Sequence, residues 1–108
     1  MKITPEDFQR EVIDVKEEIV IVKFFADWCK PCIDIDITLE QINKNFKNKI
    51  KIYKINTEKN IELSKLLYID GLPTLLLFKN GKILKKLVGS VSYNTIEKEI
   101  GRIECLNI

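Results

Sequence analysis

The sequence predicts an α/β fold: a central mixed β-sheet flanked by α-helices and ending in an antiparallel hairpin. Two observations carry this. Between Thr4 and Leu67, short apolar runs of strand character alternate with segments whose apolar residues recur at helical spacing. Then TLLLFKNGKILKKLVG, Thr74 to Gly89, joins two apolar runs through Asn80-Gly81, the two-residue turn that tolerates positive φ.

The elements follow in order. Thr4 is a helix cap, Pro5 suits a first turn, and Asp7 lies three residues after the cap, so a helix opens here with Phe8, Val12 and Val15 as its apolar stripe. Glu18 to Ala26, EIVIVKFFA, is β-branched and aromatic on both alternating sets, as expected of a strand covered on both faces. Lys23 places a charge inside that run. Further on, CIDIDI alternates with period two, but Ile35, Leu39, Ile42 and Phe46 hold a helical stripe for three turns, and the longer signal governs. The helix ends in the polar NKNFKNK. IKIYKIN, Ile50 to Asn56, is the next strand. A helix restarts at Thr57 or Glu58 with Ile61, Leu66 and Leu67 inward, and Gly71 and Pro73 break the chain. After the hairpin, a last helix from about Tyr93 to Leu106 aligns Ile96, Ile100 and Ile103 on one face. There is no internal repeat, linker or low-complexity segment.

A chain of 108 residues is the size of one domain, here residues 1–108, and buries roughly two thirds of its unfolded surface. Charged residues are 31% and apolar residues 45%, which excludes a disordered chain. Eighteen Lys and Arg against sixteen Asp and Glu give +2, with the lysines spread along the chain, so a nucleic-acid partner is not expected. The N-terminus lacks a secretory apolar core, and no apolar run approaches the ~20 residues of a membrane span. The expectation is a soluble, cytoplasmic protein without a membrane partner. Three cysteines cannot all pair internally, and the absence of histidine excludes His-based triads, imidazole shuttles and His metal ligands.

FFADWCKPC, Phe24 to Cys32, places two cysteines between a buried strand and a helix start, with Pro31 in the first turn. Unpaired N–H groups and the positive end of the helix dipole favour a thiolate there. At this spacing the two sulfurs reach each other, so one can attack a substrate disulfide and the other resolve the mixed disulfide. Cys29, at the corner beside the apolar wall of Trp28, is the expected exposed nucleophile. Cys32, one turn into the helix, is the expected buried resolver. Two other readings stand beside this one. Half a zinc site needs ligands that the chain does not supply, and a pair of inert core cysteines fits poorly with the flanking Trp28 and Pro31.

With these pieces in order, the sequence resembles the thioredoxin family along nearly its whole length. FFADWCKPC resembles the family's active-site segment, YKIN its following strand, DGLPT its cis-proline loop, and LLLFKNGK with Val88-Gly89 its terminal hairpin. The resemblance implies the thioredoxin fold and a monomeric protein-disulfide reductase whose only redox group is the Cys29–Cys32 disulfide, with no cofactor or metal. It further implies disulfide-bonded protein substrates and re-reduction by a thioredoxin reductase, flavin- or ferredoxin-linked. Pro73 would be cis, leaving the backbone at Leu72 free to pair with a substrate chain, and Trp28, Leu72 and Pro73 would contact that substrate. A thiol oxidase or isomerase of the same fold and a redox-inactive binding module are the alternatives.

Three positions depart from the family's pattern. Where many members carry a buried Asp six residues before the first cysteine, this chain has Lys23, and Lys54 matches the lysine that usually neighbours that Asp. An unpaired buried ammonium is costly. Asp36 lies four residues after Cys32 on the same helical face, so it is expected to pair with Lys23 or Lys54 and take over the relay of the resolving thiol's proton. The alternative is that Lys23 threads its stem past the core to water. Ile37 stands where a helix-kinking proline is frequent, which predicts a straighter helix. Lys30 stands where Gly is commonest and either favours the Cys29 thiolate or is simply solvated. Cys105, off the last helix's stripe, reads as a small packed thiol, with an exposed thiol open to an intermolecular disulfide as the alternative, and Asp70 reads as an exposed loop charge, with a bias on partner choice beside the substrate groove as its alternative.

Overall fold

In the computed structural model, which describes residues 4–106, the predicted run of β-branched and aromatic residues forms strand β1 (Ile19–Phe25), and all seven of its residues are buried. Burial on both faces explains why its two alternating sets are equally apolar. Parallel to it runs β2 (Ile50–Asn56), starting at Ile19↔Ile50 and ending at Phe25↔Asn56. On its other side β3 (Thr74–Lys79) pairs antiparallel, and β4 (Lys82–Val88) pairs antiparallel with β3. The sheet is four-stranded and mixed, in the order β2-β1-β3-β4. Asn80 and Gly81 make the turn between β3 and β4 with φ of 51° and 79°.

Parity sorts the core. Ile19 and Ile21 of β1 face helices α2 (Lys30–Asn45) and α4 (Tyr93–Cys105), packing with Ile35, Leu39, Ile96 and Ile100. Val20, Val22 and Phe24 face the other way, toward Phe8 and Val12 of the N-terminal segment. Full burial of such a side chain contributes about 1.5–3 kcal/mol relative to exposure. By the same alternation Lys23 belongs to the α2 side, continuing the row of Ile19 and Ile21.

Two elements differ from the sequence reading. The N-terminal helix is α-helical only over Pro5–Phe8 (α1) and continues as a π-helical turn, Gln9–Ile13, in which the Asp14 N–H donates to the Gln9 carbonyl at 2.8 Å. The wider turn packs Ile13 as well as Val12 against the sheet. Helix α3 begins at Ile61, four residues later than Thr57, and ends at Leu66. The Asn56 side-chain carbonyl accepts the N–H groups of Glu58 and Lys59, and the Asn60 amide donates to the Asn56 carbonyl. These local bonds hold a turn where a helix was expected. The later start rotates the inner face to Leu63, Ser64 and Leu67, leaving Ile61 and Leu66 exposed.

Candidate active site

At the end of β1 the chain turns at Ala26, whose carbonyl accepts the Cys29 N–H at 3.2 Å, and α2 starts at Lys30 with Cys29 as its N-cap. The Cys32 N–H donates to Cys29 Sγ at 3.3 Å, so one of the helix's unpaired donors is aimed at that sulfur. Cys29 and Cys32 form a disulfide with Cα atoms 5.3 Å apart, set among Phe25, Ala26 and Leu72. The expected contrast in exposure is absent in this disulfide form: Cys29 is 4% exposed and Cys32 1%. As N-cap, the Cys29 sulfur turns back onto the helix and packs with the loop bearing Leu72. Trp28, next to Cys29 in the chain, is exposed, and its indole N–H donates to Glu58 Oε2 at 3.1 Å. Lys30 and Pro31, at the helix start, are exposed.

The Leu72–Pro73 peptide is cis. Pro73 is buried, and its carbonyl accepts the Gly89 N–H at 2.8 Å, which ties this loop to the end of β4. The Thr74 hydroxyl donates to the Gly71 carbonyl at 2.6 Å on the loop's other flank. Leu72, held between these bonds, is half-buried against the disulfide cluster.

Beneath the disulfide lies a cluster of charge. Lys23 is 2% exposed, and the β1–β2 register sets it directly beside Lys54 on the same face. Asp36, one turn beyond Cys32 on α2, bridges them: its Oδ1 lies 2.7 Å from Lys23 Nζ and 3.1 Å from Lys54 Nζ. The Lys23 stem therefore does not thread to water. Its ammonium also lies 5.1 Å from the centre of the Phe25 ring. Partial burial pushes the Asp36 carboxyl up, but the hydrogen bonds from Lys23 and Lys54 outweigh it and hold the group below the usual carboxylate range. Cys32 and all three charged residues line one cavity of about 210 Å³, which Asp27 and Ile33 also border. Asp36 and Lys54 also line a second cavity of about 180 Å³, so they stand between the Cys32 cavity and that outer hollow.

Other expected features fall as follows. Helix α2 is continuous from Lys30 to Asn45, with Ile37 exposed on its outer side. Asp70 is exposed. Cys105 is exposed rather than packed, because it lies off the buried stripe of Ile96, Ile100 and Ile103. Two residues of the site escaped the sequence reading. Phe25 was legible, since it sits two residues from Lys23 on the same strand face. Glu58 was not, because nothing local links it to an indole thirty residues earlier. Among the described residues no cluster of three or more Cys, Asp or Glu is placed to hold a metal ion, and no helix is long and apolar enough to cross a membrane.

The family model described as Thioredoxin matches residues 1–102. The chain is 39% identical over 92 residues to the thioredoxin of Buchnera aphidicola subsp. Schizaphis graminum, covering 85% of this chain and 84% of the relative. It is 34% identical over 97 residues to the thioredoxin of Chlorobaculum thiosulfatiphilum, with 90% and 89% covered. Thioredoxin 1 of Nostoc sp. is 32% identical over 99 residues, with 92% of each chain covered.

Proposed function

From the premise that the chain belongs to the thioredoxin family and is a thiol–disulfide oxidoreductase, we propose that Cys29 attacks the substrate disulfide and Cys32 resolves the mixed disulfide. The observation that carries this assignment is the sulfur of Cys29 at the N-cap of α2, accepting the Cys32 N–H. That donor and the helix dipole stabilise negative charge on Cys29 and favour it as attacking thiolate and as leaving group. The Cys32 sulfur sits one turn into the helix and is not the N-cap, so the cap and not a difference in exposure separates the two roles.

The chemistry balances without a further redox group. The Cys29 thiolate forms a bond to one substrate sulfur, and the other leaves as a thiolate that takes up a proton. Cys32 then loses its proton and attacks Cys29 Sγ, and the electron pair of the Cys29–substrate bond departs on the substrate sulfur that was bonded to Cys29, which takes up a proton in turn. The net result is a reduced substrate and the Cys29–Cys32 disulfide. Asp36 relays the proton that Cys32 gives up: it is one turn away, borders the same cavity, and also borders the outer hollow. Lys23 and Lys54 hold its carboxylate in place. The substrate chain lies along Leu72 and Pro73, beside the exposed indole of Trp28, and Lys30 adds positive charge next to Cys29.

The physiological reading is a cytoplasmic, monomeric domain spanning residues 1–108, with disulfide-bonded proteins as substrates. A flavin- or ferredoxin-linked thioredoxin reductase restores the dithiol, and no cofactor beyond the cysteine pair takes part. A turbidity assay on a disulfide-bonded test protein with excess small dithiol tests the reading. Wild-type protein should accelerate precipitation, Cys29→Ser should abolish the effect, and Cys32→Ser should accumulate a mixed disulfide on non-reducing gels. If Cys29→Ser retained activity, or the mixed disulfide formed through Cys32, the assignment would be wrong.

A further inference from the structure

A lysine side chain 3% exposed in the middle of a sheet is an expensive way to fill space. Removing an ammonium from water costs several kcal/mol after relaxation, and an apolar residue of similar volume packs there at no such cost. The position of the charge gives it a use. Lys23 lies on the α2 face of β1, at the wall of the cavity that Cys32 also lines, and its Nζ is fixed by Asp36 Oδ1 at 2.7 Å and by the Phe25 ring. The charged side chains around that cavity are Lys23 from β1, Asp27 from the loop before Cys29, Asp36 from α2 and Lys54 from β2. Asp27 is exposed and screened by water, whereas Lys23 is the most deeply buried of the four. Lys23, Asp36 and Lys54 together carry a net +1.

Cys32 has the opposite need. The resolving step requires its thiolate, yet Cys32 is 1% exposed, and burial among apolar groups disfavours ionisation of a thiol. A fixed positive charge buried in the wall of the same cavity offsets that penalty.

We propose that Lys23 is a positioning residue for the resolving step, its buried ammonium stabilising the thiolate of Cys32 while Asp36 holds that ammonium in place. The inference rests on the reading of Cys32 as the resolving thiol and deepens it. The two residues act at different points: Asp36 moves the proton, and Lys23 stabilises the charge left behind.

The test is a pH titration of the reduced protein with 13Cβ-labelled cysteine, followed by NMR in a Cys105→Ser background, so that Cys29 and Cys32 are the labelled thiols. Lys23→Met should lower the apparent ionisation constant of Cys32 about tenfold. Lys23→Arg should keep it within about threefold of wild type, and Asp36→Asn, which unmasks the ammonium, should raise it. In parallel, the mixed disulfide should resolve up to tenfold more slowly at pH 7 in Lys23→Met. An unchanged Cys32 titration in Lys23→Met overturns the proposal, as does a shift of the same sign in Lys23→Met and Asp36→Asn. These readouts are separate from the turbidity assay: loss of the test-protein activity in wild type sinks the reductase reading, whereas the titration addresses Lys23 alone.

Discussion

Lys23 and Lys54 are register partners on adjacent parallel strands, two ammonium groups side by side on one face of the sheet, and a single carboxylate oxygen of Asp36 accepts from both. Like charges directly opposed across strands are destabilising, so the helix-borne carboxylate is what makes the pair tolerable. Removing it should therefore cost more than removing the buried cation.

That asymmetry can be measured. Asp36→Asn should destabilise the protein by about 1–3 kcal/mol, the loss discounted from that of a fully buried pair because Asp36 is 30% exposed. Lys23→Met should leave stability unchanged or raise it by about 1–2 kcal/mol, since Lys54 still neutralises Asp36. Urea unfolding at pH 7 checks both. A large loss in Lys23→Met with none in Asp36→Asn would contradict the balance of charge seen in the structure.

The same carboxylate predicts an acid dependence. Its folded pKa lies below the ordinary value of 3.8. A depressed carboxylate contributes stability that is present above the unfolded pKa and lost as pH falls through the folded one. The difference in unfolding free energy between wild type and Asp36→Asn should therefore be constant from neutral pH down to about pH 5 and shrink below pH 4. Paired denaturant melts across this range give the difference curve directly.

At the other end of the pH scale Tyr53 acts with the opposite sign. Burial, then its hydrogen bond to Glu11, pushes the Tyr53 hydroxyl from 10.0 to about 12. The hydroxyl donates to Glu11 Oε2 at 2.9 Å and links β2 to the N-terminal π turn. A raised folded pKa contributes stability fully present below pH 10 and lost as pH climbs toward 12. Relative to Tyr53→Phe, wild type should thus hold a constant difference in stability up to pH 10 and lose ground above it. A difference that stayed flat to pH 12 would mean the phenol is not held neutral by this environment.

How much of this was legible in the sequence depends on whether the signal was local. The strand Ile50 to Asn56 was read with its correct bounds, and the hairpin and last helix came within a residue or so, because period-two alternation, Asn80-Gly81 and the Ile96, Ile100, Ile103 stripe are each written in a short window. Asp36 could be aimed at Lys23 or Lys54 from its place four residues after Cys32, once the resemblance to the thioredoxin family had set those two lysines beneath the cysteine pair. The start of α3 could not be read, because side-chain bonds from Asn56 and Asn60 outcompeted a plausible helix pattern and turned Ile61 and Leu66 outward. Nor could the burial of Cys29, which depends on Leu72, forty-three residues away, closing over the disulfide.

The hairpin turn yields a last prediction, because two glycines in the chain play opposite parts. Gly81 has φ of 79°, and a Cβ there would stand 2.8 Å from the backbone carbonyl oxygen of Ile13, in the N-terminal turn packed against the hairpin. A left-handed L-residue costs about 1–2 kcal/mol before any contact is counted, and a backbone oxygen moves aside less easily than a side-chain tip. Gly81→Ala should therefore lose about 2 kcal/mol or more. Gly101 lies inside α4 with ordinary helical φ and open space where its Cβ would go. There the substitution adds no contact and removes freedom from the unfolded chain, so Gly101→Ala should gain about 0.5–1 kcal/mol. At about 4 °C per kcal/mol for a domain of this size, the two variants should melt roughly 10 °C apart, on either side of wild type. Thermal melts that placed both below wild type would show that α4 does not accept a methyl group at Gly101, and melts that placed Gly81→Ala level with wild type would show that the hairpin and the N-terminal turn yield more readily than their close approach implies.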